Sequence, residues 1–263
     1  MSVLPIAGRR ILVTRAAHQA SKLSDALRAL GAEPVEVPVL EIRPPENFAP
    51  LDVALGRLAG YDWLIFTSAN SVRVFAERAK EQGIVLPPPN PLFVAAVGSA
   101  TANAAEQTGL KVDLIPKSYV AESLVATLAP QIAGKRVLLA RAAIARDVIP
   151  DALRAAGAEV DVVDAYRNVL PESAPQKLRA ALASPIDAVT FTSSSSVTHL
   201  AEAARIAGIT FPFSGVAAIS IGPITSQTLR DNGWPPLAEA SRSDIAGLVD
   251  AVKTLFPEAI QQR

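Results

Sequence analysis

The chain repeats itself. ILVTRAAHQASKLSDALRALGAE (11–33) lies over VLLARAAIARDVIPDALRAAGAE (137–159) at an offset of 126, with 12 of 23 positions identical. DWLIFTSANSVRVFAERAKEQG (62–83) lies over DAVTFTSSSSVTHLAEAARIAG (187–208) at an offset of 125. In AAVGSATANAAEQTG (95–109) and AISIGPITSQTLRDNG (218–233), Gly98, Thr101 and Gly109 match Gly222, Thr225 and Gly233 at an offset of 124. Solenoid units run ~20–45 residues, so this period is far too long for one. With 263 residues in all, each copy has the ~100–150 residues of an ordinary domain. The chain is therefore two similar halves.

Each half alternates short apolar runs with amphipathic ones. The pattern predicts strands at 10–14, 35–40, 63–67 and 93–97, and helices at 19–30, 71–82 and 100–107. Leu23, Leu27 and Leu30 recur at helical spacing, and Gly31 and Gly83 stand where helices stop. Continuous apolar strands separated by helices imply parallel sheets covered on both faces, an α/β fold with a cleft between the halves. Proline-rich breaks fall at Pro38, Pro44, Pro45 and Pro50, at Pro87–Pro91, and at Pro171 and Pro175.

In open parallel sheets, ligands bind beyond the carboxyl ends of the strands. Six segments follow predicted strands: Thr14-Arg15, Thr67 to Ser71, Gly98 to Thr101, Arg141, Thr192 to Ser196, and Gly222 to Thr225. They hold glycine, small hydroxyl residues or arginine, and most open a helix. Helix N-termini present free N–H groups and a positive dipole end, which suit anions. Any one such segment also reads as an ordinary N-cap. Their shared place at strand ends favours anion recognition spread over many donors, with little reliance on one arginine. Arg15 and Arg141 occupy equivalent positions and add planar donors for carboxylate or phosphate.

Several classes are excluded. Lys plus Arg and Asp plus Glu are 25 each, so the basic excess of a nucleic-acid binder is missing. The absence of cysteine rules out disulfides, thiolate metal sites and a cysteine nucleophile. No run approaches the ~20 apolar residues of a membrane span, and MSVLPIAGRR does not read as a secretory leader, which suggests the cytoplasm. There is no GxGxxG, Walker A or nucleophile elbow. Asp161 and Asp164 lack metal spacing, and the serines at 193–196 lack His–Asp partners. His18 stands near the strand-end edge opposite Ile144 of the repeat; His199 reads as a helix-surface or packing residue. Asp62 and Asp187 read as turn residues at the opposite edge. Tyr166 follows the apolar strand expected at 160–165, where the other half has Ile42, and is either packing or a hydrogen-bond donor.

These segments resemble the uroporphyrinogen-III synthase family. The resemblance rests on ILVTR (11–15), FTSANSV (66–72), AVGSATA (96–102), DALRAAGAEVDVVDAYR (151–167), FTSSSSV (191–197) and IGPIT (221–225). It implies two flavodoxin-like (Rossmann-like) domains joined by a two-stranded connector. One domain is discontinuous, 1–38 with 172–263; the other is 45–165; the connector is 39–44 and 166–171. It implies a lyase that closes the octacarboxylate linear tetrapyrrole hydroxymethylbilane to uroporphyrinogen III. Water is lost and ring D inverts through a spiro intermediate. No metal or organic cofactor is implied. The enzyme is expected to be a monomer that takes its substrate from the preceding pathway enzyme. By resemblance Tyr166 is catalytic, helping the hydroxyl to leave. Thr14, Arg15, Thr67, Ser68, Ser99, Ala100, Thr101, Arg141, Ser193, Ser194, Gly222, Pro223 and Thr225 are substrate-binding. Ile224 departs from the family, where a threonine is frequent, as does Asn168. The other class that fits is a non-catalytic two-domain binder or sensor of an anionic small molecule.

Overall fold

The structure, a computed structural model, describes residues 4–256; the side chain of His18 lies outside the described residues. The chain divides into two compact units, unit 1 up to Glu41 and again from Val169 on, unit 2 from Ile42 to Asn168. It starts with β1 (Arg10–Val13), α1 (Ala17–Ala29) and β2 (Glu33–Glu36). It crosses into unit 2 in β3 (Glu41–Arg43). There it builds α2 (Ala49–Gly56), β4 (Trp63–Phe66), α3 (Ala69–Glu81), β5 (Phe93–Ala96), α4 (Ser99–Gln107), α5 (Ala121–Leu128), β6 (Arg136–Ala142), α6 (Val148–Ala155) and β7 (Glu159–Val169). Back in unit 1 it adds α7 (Ala174–Ala181), β8 (Ala188–Phe191), α8 (Ser194–Ala207), β9 (Ala217–Ser220), α9 (Pro223–Asp231), β10 (Ala238–Glu239) and α10 (Ile245–Leu255).

Unit 1 carries a five-stranded sheet in the order β10-β9-β8-β1-β2, and every pairing in it is parallel. One face buries Leu12, Val189, Phe191, Leu200 and Trp234; the other buries Ile11, Val13, Leu23, Leu27 and Leu248. Alternate residues of β1 thus serve opposite faces, as the pleat requires. Unit 2 carries the sheet β3-β7-β6-β4-β5, with β7, β6, β4 and β5 parallel. Leu64, Phe66 and Phe75 fill one face; Ile65, Leu139, Leu124 and Leu153 fill the other. Phe66 and Phe75 meet edge-on with ring centroids 5.3 Å apart.

The amino-terminal edges of the two sheets are held alike. Asp62 Oδ2 accepts a hydrogen bond from Arg136 N, and Asp187 Oδ2 from Arg10 N, each at 2.8 Å. Both aspartates are thus more than turn residues: each fixes the first residue of the neighbouring strand. The backbone bond, helped by Lys135, holds the Asp62 carboxyl below the usual carboxylate range.

Some expected boundaries move. β2 ends at Glu36, because the chain must accommodate Pro38, which has no N–H for a ladder. Val37 and Val39 still enter the core. Pro50 and Pro175 do not break structure but stand in the first turns of α2 and α7, where the missing N–H costs nothing. β7 runs on to Val169, so Tyr166 lies inside a strand and does not end one.

Candidate active site

The six strand-end segments divide three and three. In unit 1 they follow β9, β8 and β1, adjacent in the sheet; in unit 2 two follow β4 and β5, while Arg141, expected just beyond a strand, is the penultimate residue of β6, next to β4. The duplication thus makes two equivalent edges, each with its own helix N-termini.

In unit 2 the turn after β4 is closed by a capping box. Ser68 Oγ accepts from Ser71 N at 3.1 Å, and Ser71 Oγ donates to Ser68 O at 2.7 Å. Unit 1 repeats it: Ser193 Oγ accepts from Ser196 N at 3.1 Å, and Ser196 Oγ donates to Ser193 O at 2.6 Å. The serines therefore do cap their helices. Ser68 does more, because its Oγ also lies 3.1 Å from the hydroxyl of Tyr166.

Tyr166 is brought there by an irregularity. β6 and β7 run in register until Arg141 pairs Asp164; then Ala142 pairs Tyr166, so one residue of β7 is skipped. Such a bulge re-aims the side chains beyond it. The Tyr166 ring, 6% exposed, packs with Ala142, Ala165, Ile42 and Val74. The phenol and Ser68 share one hydrogen bond that either atom can donate. If Ser68 donates, the phenol proton is left for a further acceptor; the pair can therefore hold and deliver one proton.

Gly98 and Gly222 are the N-caps of α4 and α9 and both are extended. They are glycine for want of room. A Cβ on Gly98 would stand 3.3 Å from Tyr119 Cγ, and one on Gly222 would stand 2.7 Å from Ser243 Oγ. Tyr119 and Ser243 are themselves repeat counterparts, 124 residues apart, a match in position without likeness of type that the motifs did not reveal. Ser99, Ala100 and Pro223 are exposed at these helix starts; Thr101 and Thr225 are buried behind them. Ser194 accepts from Thr228 Oγ1 at 2.8 Å. A hydrogen-bonded run of Ser220, Ser226 and Glu239 braces the α9 turn. The counterparts of the two serines in unit 2, at the same offset, are Ala96 and Ala102.

Thr14 is fully buried, and its Oγ1 donates to Thr190 O at 2.8 Å, inside the sheet. The two arginines differ. Arg141 donates Nη2 to Asp147 at 2.7 Å and Nη1 to Arg146 O at 3.1 Å. Arg15 donates Nη2 to the neutral Gln19 at 3.4 Å, and burial holds its guanidinium below the ordinary range. Among the described residues, the Nε atoms of these two arginines are buried without a hydrogen-bond partner. His199 stays structural, its Nδ1 2.9 Å from Val39 O. Tyr61 donates to Asp161 at 2.5 Å near the amino end of β7; burial first, then this carboxylate, raises the phenol above its usual range. No cluster of metal-ligating side chains occurs among the described residues, and none of their helices is long and apolar enough to cross a membrane.

Comparison with known proteins gives this arrangement its family. Residues 21–250 match the family described as uroporphyrinogen-III synthase HemD. The chain is 37% identical to the uroporphyrinogen-III synthase of Synechococcus elongatus over 258 residues, covering 96% of this chain and 97% of that one. The uroporphyrinogen III synthase of Thermus thermophilus has a similar fold, with a TM-score of 0.67 at 21% identity, covering 94% of this chain and 98% of that one. That of Helicobacter pylori has a TM-score of 0.60 at 18% identity, covering 94% and 99%. The structural likenesses establish the fold. The full-length identity and the family match establish more: the chain belongs to the uroporphyrinogen-III synthase family.

Proposed function

We propose that this chain closes hydroxymethylbilane to uroporphyrinogen III, with loss of water and inversion of ring D. The observation that carries the assignment is the 37% identity along nearly the whole of both chains. The substrate's hydroxyl is its leaving group. Tyr166 donates a proton to it as it departs, and Ser68 holds the phenol in place from 3.1 Å. The substituted α-carbon of ring D attacks the exocyclic methylene of the resulting azafulvene to give a spiro intermediate; the older methylene bond at that carbon breaks, the freed methylene bonds to the other α-carbon of ring D, and that carbon loses its proton to leave the ring inverted. The pyrrole nitrogen already pushes the hydroxyl out, so the larger task is to hold one conformer.

Carboxylates are met by helix N-termini and hydroxyls. In unit 2 these are Thr67, Ser68, Ser99, Ala100, Thr101 and Arg141. In unit 1 they are Thr14, Arg15, Ser193, Ser194, Gly222, Pro223 and Thr225. The buried side chains of Thr14, Thr101 and Thr225 shape the turns and leave recognition to the backbone N–H groups beside them. The protein acts as a cytoplasmic monomer, without cofactor, on substrate received from the enzyme that assembles it. To test this, the purified chain is given hydroxymethylbilane generated in situ, the product is oxidised, and isomers I and III are separated. Isomer III is expected; isomer I alone would leave the protein a binder of anionic small molecules.

A further inference from the structure

Unit 2 has a pocket of about 150 Å3 at the carboxyl ends of β4, β5 and β6. Thr67, Arg141 and Arg146 supply its polar groups, and Val97, Leu139 and Ile149 much of its apolar wall. Ala121, the first residue of α5, also lines it. The duplication shows how the space arises. Leu139 and Ile149 correspond to Val13 and Leu23 at the 126-residue offset; Val97 and Ala121 correspond to Ile221 and Ile245 at the 124-residue offset. Val13 and Leu23 belong to an apolar core cluster of unit 1, and Ile221 and Ile245, partly buried, pack against it. Where unit 1 has the butyl side chain of Ile245, unit 2 has the single methyl of Ala121.

The chemistry at the wall is cationic but not idle. Arg141, 12% exposed in its side chain, is paired with Asp147, and Arg146 with Glu122 at 2.8 Å; these two carboxylates are 62% and 50% exposed. Both Nη atoms of Arg141 are engaged, which fixes the guanidinium, while its buried Nε lacks a partner. A buried donor left unsatisfied is costly. An acceptor that reaches Nε relieves it. Arg146 has no counterpart of its type in unit 1, where Ala20 stands.

We propose that this pocket is a subsite for one carboxylate-terminated side chain of the tetrapyrrole, with Arg141 and Thr67 taking the carboxylate and the apolar wall taking its methylenes. The inference rests on the activity proposed above and adds where one arm goes. It also predicts that filling the space as unit 1 does evicts that arm without harming the fold.

The test uses Ala121→Ile, Arg141→Gln and the double variant of the full chain. Melting temperature, kcat and KM are measured with hydroxymethylbilane and with bilanes in which single carboxymethyl or carboxyethyl groups are replaced by methyl or ethyl. Each single variant is expected to raise KM about tenfold, the scale of one charge-assisted hydrogen bond, with kcat within about threefold. The double variant should be no worse than about the poorer single one, because both remove the same contact. On one of the shortened bilanes the penalty should vanish. If Arg141→Gln fails to fold, Ala121→Ile alone decides. A KM within twofold of the unaltered protein in a folded Ala121→Ile, or a penalty equal on every bilane, overturns the subsite. Should the unaltered protein form no isomer III at all, the proposed activity itself is wrong, which separates the two failures.

Discussion

At the residue scale the proposed chemistry rests on the phenol of Tyr166 and the hydroxyl of Ser68, which lie 3.1 Å apart. Tyr166→Phe keeps the packing with Ile42 and Val74 and removes only the donor. It is expected to lower kcat about ten- to a hundredfold, at or below the low end for general acid catalysis, with the melting temperature unchanged. A rate within twofold of the parent would leave the ring a packing element. Ser68→Ala should lower kcat several-fold and lose most of its effect in a Tyr166→Phe background, since both act through one bond; a double-mutant cycle measures this. Tyr166 stands out in the sequence because its repeat partner is aliphatic. Its link to Ser68, 98 positions away, does not, because it depends on a one-residue bulge in β7 that leaves no mark in composition. The hydroxyl residues were found together, but sequence could not separate Thr14, spent inside the sheet, from Ser99, exposed at a helix start. Distributed recognition also makes an expectation here: Arg15→Ala should weaken substrate binding without abolishing turnover, which steady-state kinetics will show.

At the element scale, strand ends are pinned by single side chains. Asp62 has a carboxyl held below its ordinary range, first by the Arg136 backbone N–H. A carboxylate depressed in the folded state stabilises it above the unfolded pKa of ~3.9, and this is lost as pH falls through the folded value. Asp62→Ala is therefore expected to lower the melting temperature at pH 7, with the gap to the parent closing below about pH 4. Thermal melts across that range check it; a gap that stays constant would assign the loss to packing. Periodicity located β4 and β5 well, because nearly all their residues are buried and read as apolar runs. It mishandled proline. Pro50 looks like a break in any window, yet the first turn of α2 has no use for its N–H. Element ends depend on such local accounting, whereas element existence depends on burial, and burial is what an apolar run records.

At the scale of the molecule, unit 2 is one continuous stretch with its own five-stranded sheet and two apolar layers. The segment 42–168 expressed alone is expected to fold, with circular dichroism of an α/β protein and a cooperative melt; a molten segment would show that unit 2 depends on the rest of the chain. Unit 1 is different. Its β1 lies between β2 and β8, so it has one sheet neighbour made soon after it and another made far later. At ~5–20 residues per second, the wait from β2 to the completion of β9 is roughly 10–40 s. For that time Ile11, Val13, Leu23 and Leu27 lack the later part of their apolar layer, Ala188, Ile219 and Leu248 among it. Emerging from the ribosome, unit 2 can thus mature before unit 1, and the β1–α1 segment is the one most in need of a chaperone.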